Sequence, residues 1–224
     1  MTDSRPIVGV LGIQGDIEKH FAALERLGAR GRRVLSPRDL ENLHALILPG
    51  GESTTISKGL VRHELVKPIQ QYALAGGAIL GTCAGAILLS RVSSNHPVPT
   101  LGLIDIESER NAYGTQLDSF VAYSDADVDS DDRWSGLECV FIRAPRLSKP
   151  GPGVEVLVRV EGEPVLVRQG RRFACTFHPE LTDDLRLHEA LLDDSPARRS
   201  DLRGRDRLLD RWPGGFGPSR PRGR

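Results

Sequence analysis

Three short segments of this 224-residue chain carry residue types suited to acyl transfer. In Gly81-Thr82-Cys83-Ala84-Gly85 a cysteine stands between small residues, where an apolar run gives way to a helix-like one. This is the G-x-C-x-G form of a nucleophile elbow. A tight turn requires small neighbours and lifts the thiol out of the sheet. The helix that starts beside it offers N–H groups and a positive dipole end to negative charge at the sulfur. The Ala84 N–H is a candidate oxyanion donor. Taken alone, the segment equally suits a small buried cysteine at a strand end.

Phe177-His178-Pro179-Glu180 supplies a second part. A thiol that attacks an amide needs a base that later protonates the departing ammonia, and histidine does both. Read as extended backbone, residues two apart project to the same side. Glu180 then accepts the other ring N–H of His178 and supports the imidazolium. A loop histidine beside a capping acid is the plainer alternative. Leu48-Pro49-Gly50-Gly51-Glu52-Ser53 is the third part. Its glycines admit close approach of backbone, and Gly50 and Gly51 are candidates for a second oxyanion donor. An ordinary strand-to-helix turn has the same residues. No Gly-Lys-Ser/Thr follows, so this is not a phosphate loop, and Gly9, Gly12 and Gly15 miss the dinucleotide fingerprint.

The elements that must position these residues read as alternating strands and helices. Residues 6–13 form an apolar, β-branched run, the pattern of a buried parallel strand. Ile17, His20, Phe21, Leu24 and Leu27 recur at spacings of three and four, predicting an amphipathic helix closed by Gly28. A strand near 32–35 and another over 44–48 follow. Helical spacing runs from Thr54 to Ala75, residues 78–80 form a third buried strand, and a helix over 84–90 leaves its end. Residues 154–160 and 164–169 flank Glu161-Gly162-Glu163 as a hairpin. A strand over 173–177 and a helix over 185–192 close the pattern. The expected fold is a three-layer α/β/α domain with a central mixed, mostly parallel sheet and the site at strand carboxyl ends.

Apolar residues make up 39% and charged residues 27%, with zero formal net charge, so composition points to neither nucleic acid nor membrane. No stretch approaches ~18 uninterrupted apolar residues, and a cytoplasmic protein is expected. Cys83, Cys139 and Cys175 lack metal-type spacing, and an odd count argues against a disulfide scaffold. One domain over residues 1–194 is expected. Residues 195–224 hold nine arginines and three aspartates, a net of +6, with few apolar residues, and read as a disordered tail. The Asp- and Ser-rich residues 124–133 read as a solvated loop.

Together the three segments occur in the order oxyanion loop, cysteine elbow, His-x-Glu. In this the chain resembles the class I, triad-type glutamine amidotransferase family, and within it the glutaminase subunits of pyridoxal 5'-phosphate synthases. The resemblance is carried by residues 8–15 (VGVLGIQG), 48–55 (LPGGESTT), 81–86 (GTCAGA), 109–120 (ERNAYGTQLDSF), 141–145 (FIRAP) and 177–184 (FHPELTDD). It implies that Cys83, His178 and Glu180 form the catalytic triad. It also implies that Gly51, Glu52, Ser53, Arg110, Ile142 and Arg143 bind glutamine. Free glutamine is a zwitterion, so an arginine for its carboxylate suits the chemistry.

The resemblance further implies hydrolysis of L-glutamine to glutamate and ammonia with no metal or organic cofactor. The ammonia would pass to a barrel-shaped synthase subunit that makes pyridoxal 5'-phosphate, within a large hetero-oligomer. The acidic stretch and the Arg-rich tail depart from the family pattern without touching a motif position. Cys139 and Cys175 match no motif and read as structural. Other amidotransferase subunits, a cysteine hydrolase on the same scaffold and a non-catalytic relative share parts of this pattern. Residues 109–120 and 141–145 argue against the first, and an intact Cys83, His178 and Glu180 against the last.

Overall fold

The computed structural model describes residues 5–110, 119–125 and 132–193. The chain begins with β1 (Ile7–Leu11), α1 (Ile17–Arg26) and β2 (Arg30–Val34). Then come β3 (Ala45–Leu48), α2 (Ser53–Arg62), α3 (Val66–Leu74), β4 (Ala78–Thr82) and α4 (Ala84–Leu89). Five strands follow: β5 (Ser90–Ser94), β6 (Ile104–Glu109), β7 (Ser119–Tyr123), β8 (Glu138–Ile142) and β9 (Arg146–Ser148). The last elements are β10 (Glu155–Val160), β11 (Glu163–Gln169), β12 (Arg172–Cys175) and α5 (Arg186–Asp193).

A seven-stranded sheet has the order β10-β11-β12-β4-β3-β1-β2. Strands β12, β4, β3, β1 and β2 run parallel, and the β10–β11 hairpin extends one edge antiparallel. The apolar runs form strands because both faces of the sheet are covered. Alternation sends Val8, Val10, Ile47, Leu80 and Phe173 to one face, where Leu24 of α1 and Leu187 and Leu191 of α5 meet them. Leu11, Leu46, Leu48 and Ile79 point to the other face, against residues of α2, α3 and α4. The expected three-layer α/β/α fold with a mixed, mostly parallel sheet is thus observed. At the far edge, β2 carries Arg30, Arg32 and Arg33, charges that suit a strand paired on one side only.

Several elements differ from the sequence reading. The helical pattern over 54–75 is two helices, not one. At the break, Leu65 N–H donates to Leu60 O at 2.9 Å and Glu64 N–H to Val61 O at 3.1 Å, a Schellman ending with Glu64 at φ 56°. The end of α1 is built alike, with Ala29 N–H on Leu24 O at 2.9 Å, but there Gly28 takes the left-handed position at φ 71°. Glycine announces such an ending in a sequence and glutamate does not. Two small sheets were also not expected: β5-β6-β9 and β7-β8. Their strands are short or polar, such as Ser90–Ser94.

The acidic stretch is not solvated at its first two residues. Ser124 is buried and its hydroxyl donates to Trp134 O at 2.6 Å, while the Asp125 carboxylate accepts from Glu161 and Gly162 N–H in the hairpin turn. Residues 126–131 and the tail from 194 onward lie outside the described residues. Among the described residues no helix is long and apolar enough to cross a membrane.

The two helix endings give opposite expectations. A non-glycine residue in the left-handed region costs roughly 1 kcal/mol. Gly28→Ala, which meets no neighbouring atom, should lower stability by about that much, and Glu64→Gly should raise it by a similar amount. Urea unfolding midpoints of the two variants check the pair of signs.

Candidate active site

Four neighbouring parallel strands, β12, β4, β3 and β1, end on the same side of the sheet. Beyond β4 stands Cys83, beyond β3 stands Gly50, and beyond β12 stands His178. Beyond β1 come Gln14, Gly15 and Asp16. All of them line one cavity of about 440 Å³. That size is typical of small-molecule sites, which span roughly 300–1,000 Å³.

The elbow is set by close backbone packing. Cys83 has φ 48° and ψ −104°, a sparsely populated conformation for an L-residue. Its N–H donates to Cys175 O at 2.9 Å, tying the turn to β12. A Cβ at Gly85 would lie 1.9 Å from the Leu48 carbonyl oxygen, and one at Gly81 would lie 2.6 Å from the Gly85 backbone. Both glycines of the G-x-C-x-G motif are therefore dictated by α4 lying directly against β3 and β4. Cys83 is 7% exposed, and its thiol faces the Ile142 carbonyl at 3.9 Å.

His178 forms part of the cavity wall, with its backbone N–H on Val140 O of β8. Its Nδ1 meets Glu180 Oε1 at 2.8 Å. The two residues were expected to meet along extended backbone. Instead Pro179–Leu181 forms a 3-10 turn, and the turn folds Glu180 back under the imidazole. Burial alone would lower the His178 pKa, but interactions with the Cys83 sulfur and the Glu180 carboxylate favour the cation and raise it from 6.5 to about 10. Burial likewise opposes charge on Glu180, yet His20 and His178 hold its pKa below the ordinary carboxylate value. Asp16 stands beside this pair: one ligand-type atom from each of Asp16, His178 and Glu180 lies within 4.8 Å of the others. His178 Nδ1 and Glu180 Oε1 are already bonded to each other there.

The Gly-rich loop packs against the same imidazole. A Cβ on Gly50 would lie 2.5 Å from His178 Cε1 and 3.4 Å from Cys83 Cβ. The Gly50 carbonyl in turn abuts Gly15, where a Cβ would lie 2.0 Å from its oxygen. Gly51 has φ 143°, outside the range that suits a side chain. Glu52 caps α2, accepting from Thr54 N–H at 3.0 Å and from Thr55 N–H at 2.7 Å. Partial burial opposes its charge, but these hydrogen bonds lower its pKa to about 2.

The small sheets deliver the remaining candidates. Arg110 follows β6, where its guanidinium donates to Glu52 Oε1 at 3.2 Å and to the His96 carbonyl at 3.1 Å. Ile142 ends β8, and Arg143 follows it with φ 44°. Gly51, Glu52, Ser53, Arg110, Ile142 and Arg143 all line the cavity with Cys83, Ala84, Gly50 and His178. Glu180 does not; it is 5% exposed and lies behind His178. Most of the ERNAYGTQLDSF segment, residues 111–118, falls outside the described residues.

Cys139 and Cys175 are fully buried, and burial pushes the Cys139 thiol up to about 12 and that of Cys175 well above its ordinary value. That agrees with a structural part for both. Sequence reasoning did not single out Gln14, whose side-chain oxygen accepts from Glu52 N–H at 3.2 Å, nor Asp16. It assigned His20 only to a helix face. The signal for His20 was a polar side chain on the apolar stripe of α1.

Comparison with known proteins gives the family. A family model, that of the SNO glutamine amidotransferase family, matches residues 10–195. The pyridoxal 5'-phosphate synthase subunit PdxT of Thermus thermophilus is 48% identical over 191 residues, covering 84% of this chain and 97% of that protein. PdxT of Thermotoga maritima is 43% identical over 186 residues, covering 83% and 97%. A crystal structure of a glutamine amidotransferase superposes with a TM-score of 0.78 at 44% identity, over 84% of this chain and 97% of that one. PurLQS from Thermotoga maritima, with a TM-score of 0.60 at 18% identity over 84% and 98% of the two chains, shares the fold. On the span and identity of these matches, the chain belongs to the SNO glutamine amidotransferase family.

Proposed function

We propose that this chain hydrolyses L-glutamine to L-glutamate and ammonia through Cys83, His178 and Glu180. Its ammonia passes to the synthase subunit of a pyridoxal 5'-phosphate synthase. The observation that carries this reading is a cavity wall on which Cys83 and His178 meet, with Glu180 bonded to the far side of the imidazole at 2.8 Å. Relatives named as PdxT subunits of pyridoxal 5'-phosphate synthase support the destination of the nitrogen.

In the first step the Cys83 thiol proton passes to His178, the sulfur forms a bond to the amide carbon of glutamine, and the carbonyl electron pair moves to oxygen. Backbone N–H groups of Ala84 and of the Gly50–Gly51 segment hold that oxyanion. The oxyanion then collapses, the C–N bond breaks, and His178 gives its proton to the leaving nitrogen, which departs as ammonia. In the second step His178 takes a proton from water, whose oxygen attacks the γ-glutamyl thioester. A second oxyanion collapses to glutamate, and the sulfur leaves with its electron pair. Glu180 keeps the imidazole in the tautomer and orientation that both steps need. This chemistry requires no metal or organic cofactor.

Arg110 is the candidate partner of the glutamine α-carboxylate. Glu52 serves it indirectly. Its oxygens already accept from Thr54 N–H, Thr55 N–H, the Thr55 hydroxyl and Arg110, which occupies about four lone-pair sites. Glu52 therefore fixes the guanidinium in place. Gly51, Ser53, Ile142 and Arg143 complete the pocket. The Gly50–Gly51 peptide has no side chain to hinder its rotation, and we infer that docking of the barrel-shaped synthase subunit, in a large hetero-oligomer, sets its oxyanion orientation.

Three measurements test these statements. Ammonia release from glutamine should be abolished by Cys83→Ala, and wild-type release should rise on adding a synthase subunit. Undiminished release by Cys83→Ala removes the nucleophile, and equal rates with and without the subunit remove the docking effect. Arg110→Ala should raise KM about tenfold or more, the loss of a charge-assisted bond, with a smaller change in kcat. An unchanged KM would take Arg110 out of the pocket.

Because the folded-state pKa of His178 is raised, its charge stabilises the fold fully below 6.5, and that contribution is lost as pH rises through about 10. Nitrogen-15 spectra should therefore show His178 as imidazolium at pH 8, with a lower midpoint in Cys83→Ala. A neutral ring at pH 8 in the wild type contradicts the pairing.

A further inference from the structure

The candidate triad does not end at Glu180. Oε1 of Glu180 is bonded to His178, while Oε2 points away toward α1 and α5. There it lies 3.6 Å from Nε2 of His20. His20 Nδ1 in turn lies 3.1 Å from Nε2 of His188 on α5. Both histidines are completely buried, and Glu180 is 5% exposed. Neither Glu180 Oε2 nor His20 Nε2 has a hydrogen-bond partner among the described residues, and the two buried polar atoms face each other.

Proton counting fixes the direction of this chain. The contact between the two rings holds one proton. If His20 Nδ1 carried it, the neutral ring would turn a lone pair at Nε2 toward the Glu180 carboxylate, acceptor against acceptor. It would also leave a proton on His188 Nδ1, an atom with no partner. If His188 Nε2 carries it, His20 keeps its proton on Nε2, aimed at Glu180 Oε2, and His188 Nδ1 is left only as an acceptor. The second arrangement avoids both faults. Burial disfavours the charged form of both rings and lowers both pKa values. The charges that face His20 are Glu180, His178 and Asp16, with His188 beside it.

We propose that His20 is a positioning residue for the glutaminase reaction, its Nε2–H anchoring the second oxygen of Glu180 while His188 sets its tautomer. The separation of 3.6 Å exceeds a good hydrogen bond by about 0.5 Å, which small rotations of the two side chains close. Glu180 is then held from both sides, by His178 and by His20. A carboxylate fixed at both oxygens cannot swing away when His178 gives up its proton and the attraction between them weakens. Amino-acid sequence separates the partners widely: His20 and His188 are 168 positions apart.

This inference rests on the glutaminase reading, and the test separates the two. Full-length wild type, His20→Leu, His20→Gln and His188→Leu are compared for melting temperature, kcat and KM for glutamine, and the rate of Cys83 alkylation by iodoacetamide. In glutamine the amide nitrogen occupies the place of the imidazole Nε2, so His20→Gln keeps the donor and His20→Leu does not. His20→Leu should lose kcat on the order of tenfold, with KM within about threefold, and should alkylate Cys83 more slowly at neutral pH. His20→Gln should recover most of both rates. A folded His20→Leu with wild-type kcat and alkylation overturns the proposal, as does a folded His20→Gln no faster than His20→Leu. Should His20→Leu fail to fold, His188→Leu decides. It leaves His20 in place without its tautomer-setting donor, so lowered kcat at retained KM is expected and wild-type kcat overturns. If the wild type releases no ammonia even with a synthase subunit added, the glutaminase reading fails, and the alkylation rates still decide the role of His20.

Discussion

The contact of Gly85 with the Leu48 carbonyl governs the rest of the site. A Cβ there would lie 1.9 Å from that oxygen, so α4 can lie against β3 only if this position has no side chain. That approach forces the turn between β4 and α4 to be tight, which puts Cys83 at φ 48°. The strained turn then presents the thiol to the cavity instead of to the core, where Cys139 and Cys175 lie. The conformational cost is met by the surrounding packing. Leu88 and Leu89 of α4 are fully buried against the sheet, and burying a leucine side chain contributes about 1.5–3 kcal/mol.

Around this fixed point, parallel topology supplies the other groups. Parallel strands end on one side, so the residues after β1, β3, β4 and β12 meet without long loops. The electrostatics follow from this crowding. Glu180 is buried beneath His178, and a buried carboxylate without a cation or donors would be strongly disfavoured. His178 supplies the cation on one side and His20 the polar contact on the other. Glu52 is treated differently. It stays ionised at the cavity rim through the backbone N–H groups of α2, and so fixes Arg110.

Much of this was legible in the sequence, for physical reasons. Gly81 and Gly85 flanking Cys83 reported a backbone approach that only glycine permits. The apolar runs at 6–13, 44–48 and 78–80 reported strands covered on both faces. What stayed hidden depended on context. Glu64 ends α2 in a conformation that glycine usually marks, so the pattern read through it. The strands β5 and β7 hold serines and exposed side chains, and their pairing follows from tertiary contacts, not local pattern. His20 read as one more residue on an amphipathic stripe. Its partners lie on the turn after β12 and on α5, and only the folded sheet brings them together.

The proposed reaction passes through a covalent intermediate at Cys83. Wild-type protein mixed with glutamine and its synthase partner, quenched in acid within one turnover and digested, should carry a γ-glutamyl group on the peptide containing Cys83. That group should be absent from Cys83→Ala and should persist longer in His178→Ala, where water is not activated. Ammonia released at the wild-type rate with no modified Cys83 peptide at any quench time would contradict it.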